Sequence, residues 1–418
     1  MEYGTRKVVP IPLHGLVDVS DYLQIVDSKF FQRLRGVRQL DMASICYPGA
    51  IHTRFEHSVG TMETFRKMFI YRNSKNTDMS RDELAAVELT ALLHDTPHNA
   101  YAHLTGVIEQ ALTGKTHDDR LLETVAKHYE KPMAECGFSV KDVQKVIESQ
   151  MKEIIWEIIG VDKLDYIPRD LYHIGYPPTN IEPMLKYSVY FKNRGFCIEE
   201  KNVTNVRNFI TDYCTSFKEI YWRKSCMTAQ TMMRRAILDA INKGSIDLKA
   251  MPEMRDEDVD AVLKTSSGRS QQLFENISNR RLYKAAIAFK IDKYSDTERT
   301  GGKPLTVVKV SEGQARKCVA ESRDLERIIE LEVELSKEMS ADIIISTTPD
   351  IEHLKPRNPK VYSRDREEIQ NLSDVSKNFF DYQKKTANEI WVARIVVPEE
   401  NRRRVSEMSK LVKDRLFS

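Results

Sequence analysis

The sequence predicts a mainly α-helical fold with a smaller α+β part towards its C-terminal end. Three observations carry that expectation. Apolar residues recur at helical spacing from about residue 21 to 245. Strand-type runs rich in Ile and Val recur after about residue 280. Polar, breaker-rich stretches at 295–304 and 353–366 read as loops between them. The expected division is a β-type opening segment at 1–20, a helical core at 21–245, and an α+β region at 246–418 that serves oligomerisation or regulation.

The elements follow in order. Residues 7–13 (KVVPIPL) alternate as a short strand, and Gly15 supplies a turn. Tyr22, Ile25, Val26, Phe30, Leu34 and Val37 begin the helical periodicity. Ser80 and Glu83 form a capping-box pattern ahead of Leu84, Val87, Leu89, Leu92 and Leu93, in a helix apolar enough to be buried. Residues 151–160 read as one helix stopped by Gly160, and Pro177 with Pro178 breaks the next. Strands are expected at 282–291, 306–310, 341–348 and 390–397, with charged helices at about 322–339 and 399–416. Arg402, Arg403 and Arg404 are expected at the surface, and Trp156 and Trp391 in the core.

Composition narrows the function. Among 418 residues, 64 Lys and Arg against 62 Asp and Glu leave a charge of +2, which argues against sequence-blind nucleic-acid binding. No run approaches the roughly 18 apolar residues of a membrane helix, and no secretory h-region is read at the N-terminus. Six scattered cysteines without a CxxC pair fit a reducing cytoplasm rather than a disulfide framework.

Of ten histidines, His52, His57, His94, His98, His103 and His117 fall within 52–117. The apolar run ending at Leu93 delivers His94 and Asp95 into a buried place, where a carboxylate needs a cation or several donors. A metal meets that need and uses the imidazole too. Adjacent ligands cannot complete a site, so further donors must come from distant helices; His57 and Asp162 are the candidates. Two imidazoles and two carboxylates make a mixed N/O set suited to one divalent ion (Mn, Fe, Zn or Mg) and to hydrolysis.

Four motifs then stand in order: 31–40 (FQRLRGVRQL) with 47–50 (YPGA), Arg54-Phe-Glu-His57-Ser-Val-Gly60, His94-Asp95 followed by His98 and His103, and Val161-Asp162-Lys163 followed by Asp165, Tyr166, Arg169 and Asp170. They resemble the HD-domain deoxynucleoside triphosphate triphosphohydrolases, including vertebrate members that add a sterile-alpha motif, over about residues 7–245. The resemblance implies an HD-domain helical metallohydrolase core and metal ligation by His57, His94, Asp95 and Asp162. It places His98, His103 and His117 near the α-phosphate, with His98 as general acid or base. It implies phosphate contacts from Arg54, Lys163 and Tyr166, and sugar contacts from Gln39, Leu40 and Asp170. An ungapped match puts Ser225 where relatives pack a sugar-side Tyr; a short slip offers Tyr221 instead.

Lys7, Val8, Asp27, Gln32 and Arg35 resemble an effector-nucleotide site, and Asp27 and Arg35, two helical turns apart, would share one face. A homo-oligomer, dimer or tetramer, is also implied, and a further Mg could accompany the triphosphate. The expected reaction gives nucleoside and tripolyphosphate. The rivals are an HD phosphodiesterase or nucleotidase, and a nucleotide-sensing or nucleic-acid-binding module on a decayed site. Two departures bear on that choice: Pro97 replaces a Gly, and Gly106 stands where relatives carry an acid; Glu109, one helical turn on, either substitutes for that acid or, the favoured reading, is a solvated acid.

Overall fold

Val8–Ile11 (β1) and Gly15–Asp18 (β2) pair antiparallel, Val8 opposite Asp18 and Ile11 opposite Gly15, as the opening segment predicts. The computed structural model describes residues 6–70, 77–298, 302–348 and 357–417. Behind the hairpin lies a helical body. Its central helix, Arg54–Phe65, is buried at nearly every position and packs against the helices Arg81–Leu93 and Val161–His173. The predicted capping box is formed: the Ser80 hydroxyl accepts from the Glu83 amide at 3.2 Å, and the Glu83 carboxylate accepts from the Ser80 amide at 2.8 Å. That start fixes the register that presents His94 and Asp95 at the other end.

Two helical expectations are corrected. Residues 151–160 are not one helix: Lys152–Trp156 ends early, and Gly160 is the N-cap of Val161–His173. A Cβ on Gly160 would collide with the Ile155 carbonyl, so the glycine permits a close approach rather than stopping a helix. Asp27 and Arg35 do not share a helix face either. The chain breaks into Leu23–Val26, Lys29–Gln32 and a 3-10 turn at Arg33–Gly36, because Ser28 caps a new helix.

Ser188–Phe191 (β3) and Gly195–Glu199 (β4) form a hairpin inside the region expected to be helical. Strands Lys284–Ile291 (β5), Thr306–Val310 (β6) and Ile344–Thr347 (β7) fall within the predicted runs. Lys360–Ser363 (β8) and Glu368–Asn371 (β9) were not expected; β8 lies in the stretch 353–366 read as loop. Residues 353–356 of that stretch, and 299–301 of the other expected loop, lie outside the described residues. Ala393–Val397 (β10) is shorter than predicted because Lys377–Ile390 is helical up to its start.

One sheet has the order β6-β5-β10-β7, with β10 antiparallel to both neighbours and β5 parallel to β6. The other has the order β3-β4-β8-β9, pairing segments from either side of residue 245. The molecule is thus mainly α with a small α+β part. Trp391 is fully buried, and Trp156 packs partly buried against the core. Arg402 corrects the surface expectation: it is 4% exposed and donates to the Ala285 carbonyl at 3.0 Å. Arg404 donates to the carbonyls of Met339 and Ser340 at the end of the Leu325–Met339 helix, where a cation opposes the helix dipole. Among the described residues no helix is long and apolar enough to cross a membrane.

Candidate metal centre and its histidine cluster

The Arg54–Phe65 helix presents His57 in its first turn, the Arg81–Leu93 helix ends at His94 and Asp95, and Val161–His173 opens with Asp162. The packing of these helices brings the four side chains together. His57 Nε2 lies 3.2 Å from Asp162 Oδ1 and 3.6 Å from Asp95 Oδ2; His94 Nε2 lies 3.5 Å from each of Asp162 Oδ1 and Asp95 Oδ1. One donor atom each of His57, His94 and Asp162 falls within 4.8 Å of the others.

Both rings are aimed by their far nitrogens. His94 Nδ1 is 2.8 Å from the Ala91 carbonyl, so it carries the proton and leaves Nε2 bare. His57 Nδ1 is 2.8 Å from the Asp165 carboxylate, which aims its Nε2 inward in the same way. His94 Nε2 is buried without a hydrogen-bond partner among the described residues. Burial alone would raise both carboxyls; Arg54 and His94 hold Asp95 well below the usual range, and Lys163, His57 and His94 do the same for Asp162. Burial would lower His57, yet Asp162 and Asp165 push it up to about 10. An imidazolium there stands in for positive charge that a divalent ion would bring, displacing the proton. An orphaned Nε2 beside two ionised carboxylates fits such an ion.

His98, His103 and His117 form a second imidazole group on the same side. The His98 ring stacks on His117 at 3.9 Å between centroids and meets His103 edge-on at 4.8 Å. His98 Nε2 lies 3.4 Å from Asp95 Oδ1, and burial with the Arg54 charge holds its pKa well below the usual value. The loop before His103 is pinned by Arg33, not singled out from the sequence. Its guanidinium, 4% exposed, donates to the carbonyls of Thr96, His98 and Met254 at 3.1, 2.8 and 3.0 Å. Tyr101 takes a left-handed backbone (φ 56°), held by a 2.7 Å bond from its amide to Asp256. Glu109 is not a solvated acid: it is 7% exposed and accepts from Asn99 at 3.0 Å and Arg120 at 2.9 Å. A Cβ at Gly106 would meet nothing within 4 Å.

Of the other expected contacts, Arg54 is buried and pairs with Asp95, while its Nε and Nη2 have no partner among the described residues. Lys163 donates to the Trp156 carbonyl at 2.9 Å and to Asp162 at 3.2 Å. The Tyr166 ring meets His57 edge-on at 6.0 Å. Gln39 and Leu40 are buried, and the Gln39 backbone N–H donates to the His52 carbonyl at 3.0 Å. Asp170 collects His52 Nε2 at 2.8 Å and the Tyr221 hydroxyl at 2.5 Å. The structure therefore brings Tyr221, not Ser225, to Asp170; Ser225 is exposed beside Cys46. Tyr221 closes a π-helical turn, Phe217–Tyr221. At the hairpin, the Lys7 amide donates to Ser20 at 2.8 Å, and Val8 is exposed. Gln32 is held by the Val26 carbonyl at 2.8 Å and by Arg35 at 2.8 Å, Arg35 lies over the Phe55 ring, and Asp27 is exposed.

Fold and site together define a helical HD-type architecture with a candidate metal centre. The family described as the HD associated region matches residues 185–412, and the chain belongs to the HD-domain family that carries this region. An uncharacterized protein of Methanocaldococcus jannaschii is 27% identical over 98% of this chain and 83% of its own length. The deoxynucleoside triphosphate triphosphohydrolase SAMHD1 homolog of Dictyostelium discoideum is 25% identical over 68% of this chain, and SAMHD1 of Danio rerio is 24% identical over 66%. The matches span 61% and 55% of those two proteins. A phosphohydrolase crystal structure from Bacteroides thetaiotaomicron covers 94% of this chain with a TM-score of 0.70 at 18% identity, which shows a shared fold.

Proposed function

We infer that the chain hydrolyses deoxynucleoside triphosphates to nucleoside and tripolyphosphate, with His57, His94, Asp95 and Asp162 holding one divalent ion. The observation that carries this reading is the pairing of two groups: a mixed N/O donor set, and a three-histidine cluster 3.4 Å away through His98 and Asp95. The named activity of the SAMHD1 relatives supports the choice of substrate. A bound divalent ion would supply Lewis acidity to the attacking water and to a phosphoryl oxygen.

The chain's own groups do the rest. Arg54 offers its buried Nε and Nη2 to phosphate oxygens, and charge-assisted bonds of this kind are strong. His98 is held neutral, so it can accept a proton from water; an anionic triphosphate beside it raises its proton affinity and lets the ring return that proton to the departing 5′-oxygen. Asp170 and Tyr221 form the sugar side, the Tyr ring filling the space a 2′-hydroxyl would need. Lys7, Val8, Asp27, Gln32 and Arg35 remain candidate contacts for an effector nucleotide, and a dimer or tetramer is the proposed assembly.

The test is product identification. Metal-loaded protein is incubated with the four dNTPs and the four NTPs. The inference requires deoxynucleoside and tripolyphosphate. Phosphate, pyrophosphate or an opened cyclic nucleotide as the product of a matching substrate would replace it with a phosphodiesterase or nucleotidase.

A further inference from the structure

We propose that His14, at the tip of the N-terminal hairpin, is a positioning residue for the metal centre and acts through Asp165 on His57; the proposal rests on the metal-centre reading above. His14 Nε2 lies 2.7 Å from Asp165 Oδ1, with side chains 4% and 0% exposed. Its other nitrogen, Nδ1, is 3.0 Å from Lys67 Nζ. An ammonium only donates, so Nδ1 holds the bare lone pair and Nε2 carries the proton. The tautomer is thereby set, and His14 donates to Asp165.

The carboxylate it meets is saturated. Asp165 Oδ1 accepts from His14 at 2.7 Å and from Arg169 Nη2 at 2.7 Å; Oδ2 accepts from His57 Nδ1 at 2.8 Å and from Arg169 Nε at 2.9 Å. Four donors fill four lone-pair positions, leaving Asp165 one orientation. That orientation fixes the His57 ring, because an outer-shell carboxylate sets both the tautomer and the aim of a ligating imidazole. His57 Nε2 is the atom facing Asp95 and Asp162.

The hairpin is built to make this contact. Left-handed residues flank His14 at Leu13 (φ 70°) and Gly15 (φ 79°). A left-handed leucine is unfavourable, and this one is 41% exposed, so its own packing does not demand the turn. What the turn achieves is to send His14 inward. Arg169 Nη1 donates to the Pro12 carbonyl at 3.3 Å and ties the tip to the same network. Gly60 leaves the room: a Cβ there would fall on Arg169 Nη2 and Asp165 Oδ1. The glycine that ends the Arg54–Gly60 motif is thus explained by the network rather than by the helix it sits in.

Two substitutions of similar chemistry and different reach separate positioning from simple anchoring. The side-chain amide nitrogen introduced by His14→Gln can occupy the place of Nε2; the shorter amide of His14→Asn cannot. Mn2+ is the probe, added to the metal-free full chain, with affinity from equilibrium dialysis and melting of the metal-free protein recorded in parallel. Wild type and H14Q should bind Mn2+ alike, while H14N should bind about 10–100-fold more weakly, the range typical of lost outer-shell partners. Equal Mn2+ affinity of H14N and wild type, with only the metal-free melt lowered, would overturn the proposal and leave His14 an anchor. If H14Q bound as weakly as H14N, donation to Asp165 would not be the cause, and the proposal would also fall. Wild-type protein that takes up no Mn2+ would overturn the metal-centre reading itself, a result distinguishable from the other two.

Discussion

His98 and His94 are four residues apart and equally buried, yet their surroundings separate their chemistry. His94 leaves Nε2 facing the two carboxylates Asp95 and Asp162, whereas His98 stacks on His117 and its Nε2 faces Asp95. Replacing His98 by Ala should therefore keep the metal and lower turnover by roughly 10²–10⁴, the usual size of a lost proton-transfer group. Elemental analysis and rate measurement on one preparation check it; loss of the metal would move His98 among the ligands. The proposed sugar side is equally local. The Tyr221 hydroxyl sits on Asp170 and Ser225 does not. Tyr221→Ala should lower the ratio of kcat/KM for dATP over ATP by at least about tenfold, and Ser225→Tyr should leave it unchanged. The reverse result would return the sugar contact to residue 225.

At the scale of elements, the β5–β10 sheet is tied to the Lys224–Asn242 helix by one acid. Glu298 accepts from Arg394 at 2.8 Å and from Lys224 at 2.9 Å, and its side chain is 8% exposed. Burial would raise its pKa, but Arg394 and Lys224 together bring it down to about 2. A folded pKa below the ordinary 4.5 means stability that is complete above pH 4.5 and is lost as pH falls towards 2. The contribution is on the order of 3 kcal/mol. Glu298→Gln should be less stable than wild type at neutral pH and should lose less between pH 4.5 and the acid limit, as followed by denaturant melts. Parallel pH curves would show that the pair contributes nothing. Element legibility followed signal strength. The β6, β7 and β10 runs are dense in Ile and Val, and β5 is an apolar run of Ala, Ile and Phe, so all four are readable. The β3–β4 hairpin carried a signal that could have been used, since Asn193, Arg194 and Gly195 sit between β-forming residues. Strand β8 was not readable alone, because it pairs in parallel with β4, far away in the chain.

At the scale of the molecule, the centre joins three helices whose contributions, at 57, 94–95 and 162, are far apart in the chain. The four ligand candidates were legible because each lies in a dense local motif. His14 was not, because its partner Asp165 is 151 positions away and nothing local marks it. Arg33 was missed for the same reason: its targets are backbone carbonyls of a distant loop. The Glu109 expectation failed because solvation was judged from a single acid, while burial there comes from Asn99 and Arg120. Under the proposed function these groups serve one event, the attack of water at the α-phosphorus. The most direct measurement is hydrolysis of a dNTP in ¹⁸O-labelled water, with mass analysis of both products. The account predicts one ¹⁸O atom in tripolyphosphate and none in the nucleoside, since the α-phosphorus–O5′ bond breaks. Label in free orthophosphate, or in the nucleoside 5′-hydroxyl, would contradict it.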